Sequence, residues 1–311
     1  MVGDSLSSQG REAMRWSAAG GIEGLGMFDG NAFNVANAAS FDGSVIVGVT
    51  VDPGVGGQAL RWTAETGLVG IGGYGALGVS GDGEVIVGFE DARWVGGTGP
   101  QSFGQLADGT VMVFARDTSS DGSVVVGEAN GERIALWTAI DGLSVLGQGA
   151  AWGVSADGTV MVGRLDDFSG HQEAFLWSEA GGFFPLGRLP GTLNSYANAV
   201  SADGSVVVGR SDRTPFIWTE ESGMQDLQAL LESQSGIDLS GWNLWDARDI
   251  SYDGRTIVGV GTNPDRDTEG WVVVIPEPCT GLLLAAGLAG IASWRRSGIL
   301  RRPATARLTA S

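Results

Sequence analysis

Six times the chain spells Ser-x-Asp-Gly-x-x-φ-Val-Gly, with φ apolar, starting at Ser40, Ser80, Ser119, Ser155, Ser201 and Ser251. The aspartates of these strings are Asp42, Asp82, Asp121, Asp157, Asp203 and Asp253, spaced 36 to 50 residues apart. A second string follows each copy: an apolar run ending in Trp, a few polar residues, then a Gly-rich apolar run, as in residues 134–147 (IALWTAIDGLSVLG). Self-similarity at such a period marks a repeat array, in which each unit is one supersecondary motif that buries its apolar face against its neighbours.

Each unit reads as four short strands. Asp-Gly between two apolar runs is a hairpin signal, because glycine takes positive φ without steric cost and aspartate tolerates tight turns. The β-branched run after it suits a pleated, half-buried surface. The Trp-bearing run and the Gly-rich run supply a third and a fourth strand. Four strands in about 40 residues, repeated six or seven times, predict an all-β fold, a β-propeller of six to seven four-stranded blades. A β-solenoid is the competing architecture, but its period is shorter and more uniform. The unit around Ala92-Arg93-Trp94 is expected to be irregular, since VGGTGPQSFGQL replaces its polar turn. Leu227, Leu230 and Leu231 sit at i, i+3 and i+4 and predict one short helix in an insertion. Incomplete first and last units predict that strands from both ends share a blade and leave no open edge.

Composition narrows the function. Of 311 residues 53 are Gly, which opposes long helices, since each interior Gly costs a helix roughly 1 kcal/mol. At 43% hydrophobic and 17% charged, the chain is not disordered by composition. All 18 basic residues are Arg. Residues 1–275 hold 35 acids and 13 Arg, a net −22, and the last 36 residues hold one acid and five Arg, a net +4. A body this acidic repels phosphate backbones, so nucleic acid is excluded as a partner. A single Cys, Cys279, excludes an internal disulfide and a thiolate metal cluster, and the single His171 leaves little for imidazole metal sites.

The alternation of AF-x-W-T, G-φ-φ-φ-LG and S-x-DG-x-VVVG over residues 1–275 resembles the HAF family of extracellular repeats of bacterial surface and secreted proteins. The resemblance implies an exported repeat protein and no reaction.

After Ile275 the composition changes. Pro276-Glu277-Pro278 ends strand character. An uncharged stretch follows, residues 281–294 (GLLLAAGLAGIASW), and then Arg295-Arg296. A helix over these fourteen residues spans about 21 Å, short of the roughly 30 Å hydrocarbon core, so it would insert marginally with the arginines flanking it on the cytoplasmic side. Pro-Glu-Pro, short transmembrane helix and Arg cluster, in that order over residues 276–302, resemble the PEP-CTERM sorting domain. The resemblance implies processing by a membrane protease, the exosortase, and delivery to the cell surface. Cys279 stands where that family has Ser or Thr. It reads as one small residue replacing another, with a lipidated or redox-active thiol as the alternative. Residues 303–311 are expected to be a disordered tail. Met1-Val2-Gly3-Asp4 shows no signal peptide. Together with a beginning inside a repeat, this reads as a start codon assigned too far downstream.

Two of the turn aspartates invite a calcium reading. Asp117-x-Ser119-x-Asp121 and Asp249-x-Ser251-x-Asp253 place oxygens at alternate positions ahead of Gly, as a calcium loop does. The other four copies carry Ala38, Gly78, Gly153 and Ala199 at the first position, and the twelfth positions are Glu128 and Val260. Turn aspartates accepting backbone hydrogen bonds account for all six, with calcium kept as the lesser alternative and no other cofactor expected. Propeller glycosidases use paired carboxylates. Here Asp166-Asp167, Glu220-Glu221 and the acids of 265–269 read as solvated loops, and no spacing singles out an acid and a nucleophile. His171 reads as a surface histidine with no triad partners marked. The Trp residues at 16, 62, 94, 137, 177, 218 and 271 keep a fixed phase within the repeat and read as packing. Trp152, Trp242 and Trp245 are out of phase, and Trp242 and Trp245 are the candidate ligand contacts.

The sequence therefore predicts an exported, non-enzymatic protein of the cell surface or extracellular matrix, structural or glycan-binding, with an exosortase-type protease and extracellular polysaccharide as partners. The alternative is a propeller enzyme, glycosidase or lyase, acting on such a polysaccharide.

Overall fold

A computed structural model describes residues 1–7, 10–28, 33–52, 56–166, 170–234 and 237–275. The Pro276–Pro278 motif, Cys279, the apolar stretch, Arg295-Arg296 and the tail lie outside the described residues. The chain divides into two compact units that meet in sequence at Thr159 and Val160.

The first unit is β throughout. β1 (Val2–Ser7), β2 (Gly10–Ser17) and β3 (Gly21–Gly24) form one sheet. β4 (Phe33–Ala39), β5 (Ile46–Asp52), β6 (Gly56–Thr63) and β7 (Gly67–Gly70) form a second. β8 (Ala76–Val79), β9 (Val85–Gly88) and β10 (Arg93–Val95) form a third. β11 (Met112–Thr118), β12 (Val124–Ala129), β13 (Arg133–Thr138) and β14 (Gly142–Val154) then pair in order. In the second unit β15 (Val160–Asp166), β16 (Gln172–Ser178) and β17 (Gly182–Gly187) pair in order. β18 (Ser195–Val200), β19 (Val206–Ser211), β20 (Thr214–Thr219) and β21 (Gly223–Asp226) form a four-stranded sheet. α1 (Leu227–Gln234) precedes the sheet of β22 (Asn243–Ile250), β23 (Thr256–Thr262) and β24 (Thr268–Val274). The pairings named are all antiparallel hairpins between consecutive strands, as the Asp-Gly and Trp strings require.

Two expectations are corrected. Four strands per unit hold for β4–β7 and β18–β21, whereas the first, third and last sheets have three. The shortfall of the third has a local cause: after Val95 the chain turns through Gly96 and Gly97, both at positive φ, and makes only isolated bridges at Gln101 and Gln105. The terminal runs also do not share a blade, since β1–β3 and β22–β24 are separate sheets.

The predicted helix is α1. Leu227 and Leu231 are fully buried with Leu230 packed beside them, and the Asp226 carboxylate caps the helix by accepting the Ala229 N–H at 3.1 Å. Burial follows the repeat. In the second unit Ile217, Leu227, Leu244, Ile257, Trp271 and Val273 form one core. Trp62, Trp94, Trp137, Trp218 and Trp271 are buried, in keeping with a packing role, while Trp16 and Trp177 are half-buried.

The first strands β4, β8, β11, β18 and β22 each carry a β-bulge immediately after a buried alanine, Ala36, Ala76, Ala115, Ala197 and Ala247. The extra residue is Asn37, Leu77, Arg116, Asn198 or Arg248. A bulge re-aims the side chain it carries, so this one position presents a different group in each repeat.

Candidate functional site: a fixed turn and a variable arginine position

In a repeat protein, positions kept in every copy hold the copy together, and a binding site comes from positions that differ. The Ser-x-Asp-Gly turn is of the first kind. In each turn the serine hydroxyl donates to Oδ1 of the aspartate at 2.5–2.9 Å, and the N–H two residues after the aspartate donates to the same oxygen at 2.9–3.1 Å. The serine Oγ also accepts the N–H of the residue five positions on, as at Val45, Val85, Val124, Val206 and Thr256, at 2.8–3.0 Å. The glycine after each aspartate has φ between 69° and 78°, which a β-carbon would strain. Backbone bonds chain successive turns of the first unit: Phe41 N–H to Gly81 O, Gly81 N–H to Ser120 O and Ser120 N–H to Ala156 O, at 2.9–3.0 Å.

These bonds hold all six turn carboxyls below the usual carboxylate range. The largest cause is the hydroxyl of the preceding serine in Asp82, Asp157, Asp203 and Asp253, and the hydroxyl of Ser44 or Ser123 in Asp42 and Asp121. A depressed carboxyl contributes stability that is complete above the unfolded value, about 3.9, and is lost as pH falls through the folded values. Asp249 opposes the six. Solvent reaches it, yet the protein crowds around it, and desolvation pushes its carboxyl up against the N–H bond from Ile250. Asp108, Asp212 and Asp238 are held down with the six, so the melting temperature is expected to fall as pH drops below about 4. The double variant Asp157→Asn/Asp203→Asn should show a shallower acid limb, and an unchanged limb would remove the turns as its source.

Ser80 is fully buried and its hydroxyl serves both Asp82 and the buried N–H of Val85. Ser80→Ala strands that N–H and should cost about 1–3 kcal/mol, read as a lowered denaturant midpoint with an unchanged m-value.

Asp121 does not build a calcium loop with Glu128. The Glu128 carboxylate is engaged by Arg116, whose Nε and Nη2 both donate to Oε1 at 3.0 and 2.8 Å. Among the described residues no group of three or more His, Cys, Asp or Glu is arranged to hold a metal ion.

The variable positions gather chemistry in the second unit around Asp246, which is 7% exposed. Its Oδ1 accepts Asn198 Nδ2 at 2.8 Å and faces Arg210 Nε at 3.8 Å. Its Oδ2 accepts Arg248 Nε at 3.1 Å. The Arg210 guanidinium stands 4.0 Å from the centre of the Tyr196 ring, whose hydroxyl donates to Gln172 Oε1 at 2.5 Å. The buried carboxylate thus organises two guanidinium groups, one braced on an aromatic face.

Sequence reasoning passed over Asp246, Arg210 and Arg248. The available signal was the shared string Ala-Arg-Asp at 115–117 and 247–249. Of the two tryptophans singled out, Trp245 adjoins this cluster. It lies under Arg213, 5.1 Å from the ring centre, with its indole nitrogen buried and unpartnered. Trp242 packs half-buried against the core beside α1. Neither is a fully presented ring.

No family model matches the chain, and no curated protein matches it. Solved structures do. TolB from Acinetobacter baumannii aligns over 88% of this chain at 12% identity and a TM-score of 0.51. A chain of the Mitotic Checkpoint Complex aligns over 87% of this chain and 86% of its own length, at 14% identity and a TM-score of 0.53. The computationally designed Ika8 protein aligns over 94% of this chain and 92% of its own length, at 18% identity and 0.51. The fold is β-propeller-like. At these identities the likeness shows the fold alone, and the chain spans 60% of the length of that TolB chain.

Proposed function

We propose that this is an exported repeat protein of the cell surface or extracellular matrix, a propeller of six to seven blades that binds a polymer there and does not turn it over. One observation carries the binding reading. The recurrent carboxylates are engaged in holding their own turns, whereas the groups that differ between repeats are arginines, amides and aromatic rings. Export rests on residues 276–302, read as a PEP-CTERM signal with Pro276-Glu277-Pro278 as the motif, Arg295 and Arg296 as the membrane flank and an exosortase-type protease as the processing partner. The test is the intact mass of the protein recovered from the surface fraction of its own cells. A product lacking the residues after Pro278 supports sorting; an uncleaved chain confined to the cytoplasm overturns it.

The second reading, a glycosidase or lyase acting on extracellular polysaccharide, would take Asp249 as its acid, a side chain open to solvent whose carboxyl is pushed up by desolvation. A general acid needs such a group beside a second carboxylate. Turnover of an exopolysaccharide that disappears in Asp249→Asn would favour this reading over the first.

A further inference from the structure

We propose that Arg248 is a receptor for a carboxylate of an acidic polysaccharide, and that the protein carries its own picture of the bound state at Arg116. The strands β11 and β22 are equivalent to an unusual degree. Both contain Ala-Arg-Asp, and both are bulged twice, at Val113 and Arg116 in the first and at Trp245 and Arg248 in the second. The partner strands match as well, since Glu128 follows Gly127 in β12 just as Val260 follows Gly259 in β23. Phe114 pairs with Glu128, and Asp246 pairs with Val260.

The difference lies in what meets the guanidinium. Arg116 is met by the Glu128 carboxylate, which is only 13% exposed. In the second unit that carboxylate is replaced by the half-buried Val260. Arg248 turns its Nε to Asp246, and its two terminal nitrogens have no partner among the described residues. Its side chain is 60% exposed. Four N–H donors on Nη1 and Nη2 therefore remain, in the planar geometry that suits a carboxylate. Arg210 lies on the other oxygen of the same Asp246. Arg213, in the turn before β20, adds a third cation over Trp245. Three guanidinium groups thus gather near Asp246, with Asp212 also close to Arg210, on a chain of net charge −18.

A sugar acid fits this setting better than a bare anion. Asn198, held through its Nδ2 by Asp246 and the Ala247 carbonyl, keeps its own oxygen for a hydroxyl, and Gln172 beside Tyr196 keeps its Nε2. The ligand class is a carboxylated glycan with ring hydroxyls next to the acid.

The inference rests on the binding reading above. Failure of export would leave binding in vitro untouched, and failure of binding would leave the mass of the surface product untouched. The test is titration of the whole chain with polygalacturonate, with its methyl ester and with poly-glutamate. Polygalacturonate should bind, its methyl ester and poly-glutamate at least about tenfold more weakly, since charge-assisted hydrogen bonds are at stake. Arg248→Ala should weaken polygalacturonate binding about tenfold or more, with an unchanged melting profile because the side chain is largely exposed. Val260→Glu supplies the missing carboxylate from within and should weaken binding as much while keeping Arg248. Absence of polygalacturonate binding, or equal binding in Arg248→Ala or Val260→Glu, overturns the proposal. Equal binding of the methyl ester overturns the carboxylate, and equal binding of poly-glutamate overturns the glycan in favour of an acidic peptide.

Discussion

Replacing Gly127 by Ala should lower stability by about 3 kcal/mol, close to the largest effect available from one added methyl group. Gly127 is the glycine of the Val-Gly pair in β12, and the adjacent β11 approaches so closely that a β-carbon would overlap the carbonyl oxygen of Phe114. That obstacle is backbone, paired with β12 on one side and bridged to Phe89 on the other, so it cannot rotate away as a side chain would. The same overlap recurs at Gly48 against Val35, Gly88 against Gly75, Gly209 against Tyr196 and Gly259 against Asp246. This explains why glycine ends the repeated string in a strand where β-branched residues would otherwise be favoured. The expected reading is a fall in melting temperature of roughly 6–12 °C for a chain of this size. Gly147→Ala is the control: it lies in β14, outside the positive-φ region, with nothing within 4 Å of its β-carbon. It should be neutral or slightly stabilising. Equal melting of the two variants would mean that the close approach is not a feature of the folded protein.

Trp94→Ala should be comparably severe, about 3–5 kcal/mol from lost burial alone. Trp94 is 2% exposed, packs with Val45, Val47, Ala76, Ile86 and Ala92, and donates its indole N–H to the Ile71 carbonyl at 2.9 Å. Gly73 presses against the ring so closely that a β-carbon there would fall 2.7 Å from it. Trp94 stands on β10, the edge strand of a three-stranded sheet, and its indole fills a core shared with Val47 of β5 and Ala59 of β6. Trp94→Phe keeps one six-membered ring and removes the N–H together with part of the bicycle. It should cost less than Trp94→Ala, about 2–3 kcal/mol from the lost hydrogen bond and the smaller void. Trp242→Ala, at a half-buried ring, should cost less than Trp94→Ala. Were thermal melts to show Trp94→Ala no worse than Trp242→Ala, the assignment of Trp94 to the core would be wrong.

Much of the architecture was legible in residue order because it is local chemistry repeated. Asp-Gly fixes a turn, the β-branched run fixes the strand after it, and Trp in constant phase marks the packed face, so the hairpin at each Asp-Gly turn could be placed without tertiary information. The helix at Leu227 was legible for the same reason, as its three leucines share one face. The strand count per sheet was not. Whether a Gly-rich run such as VGGTGPQSFGQL pairs depends on competing positive-φ turns, and Gly96 and Gly97 decided against it.

The arginine cluster was less legible still. Arg116 and Arg248 occupy identical strings, and nothing nearby in sequence says that one meets a carboxylate while the other does not. That depends on the partner strand, where Glu128 pairs with Phe114 and Val260 with Asp246, and on the bulge that carries each arginine. The sequence by itself determined the repeat, its turns, its buried face and the character of residues 276–302, because each is carried by neighbours within a few residues. Only the tertiary structure decided which arginine meets a carboxylate on its partner strand and which two strands carry a second bulge. These charge pairs join residues 12 and 36 positions apart, and local chemistry does not reach that far.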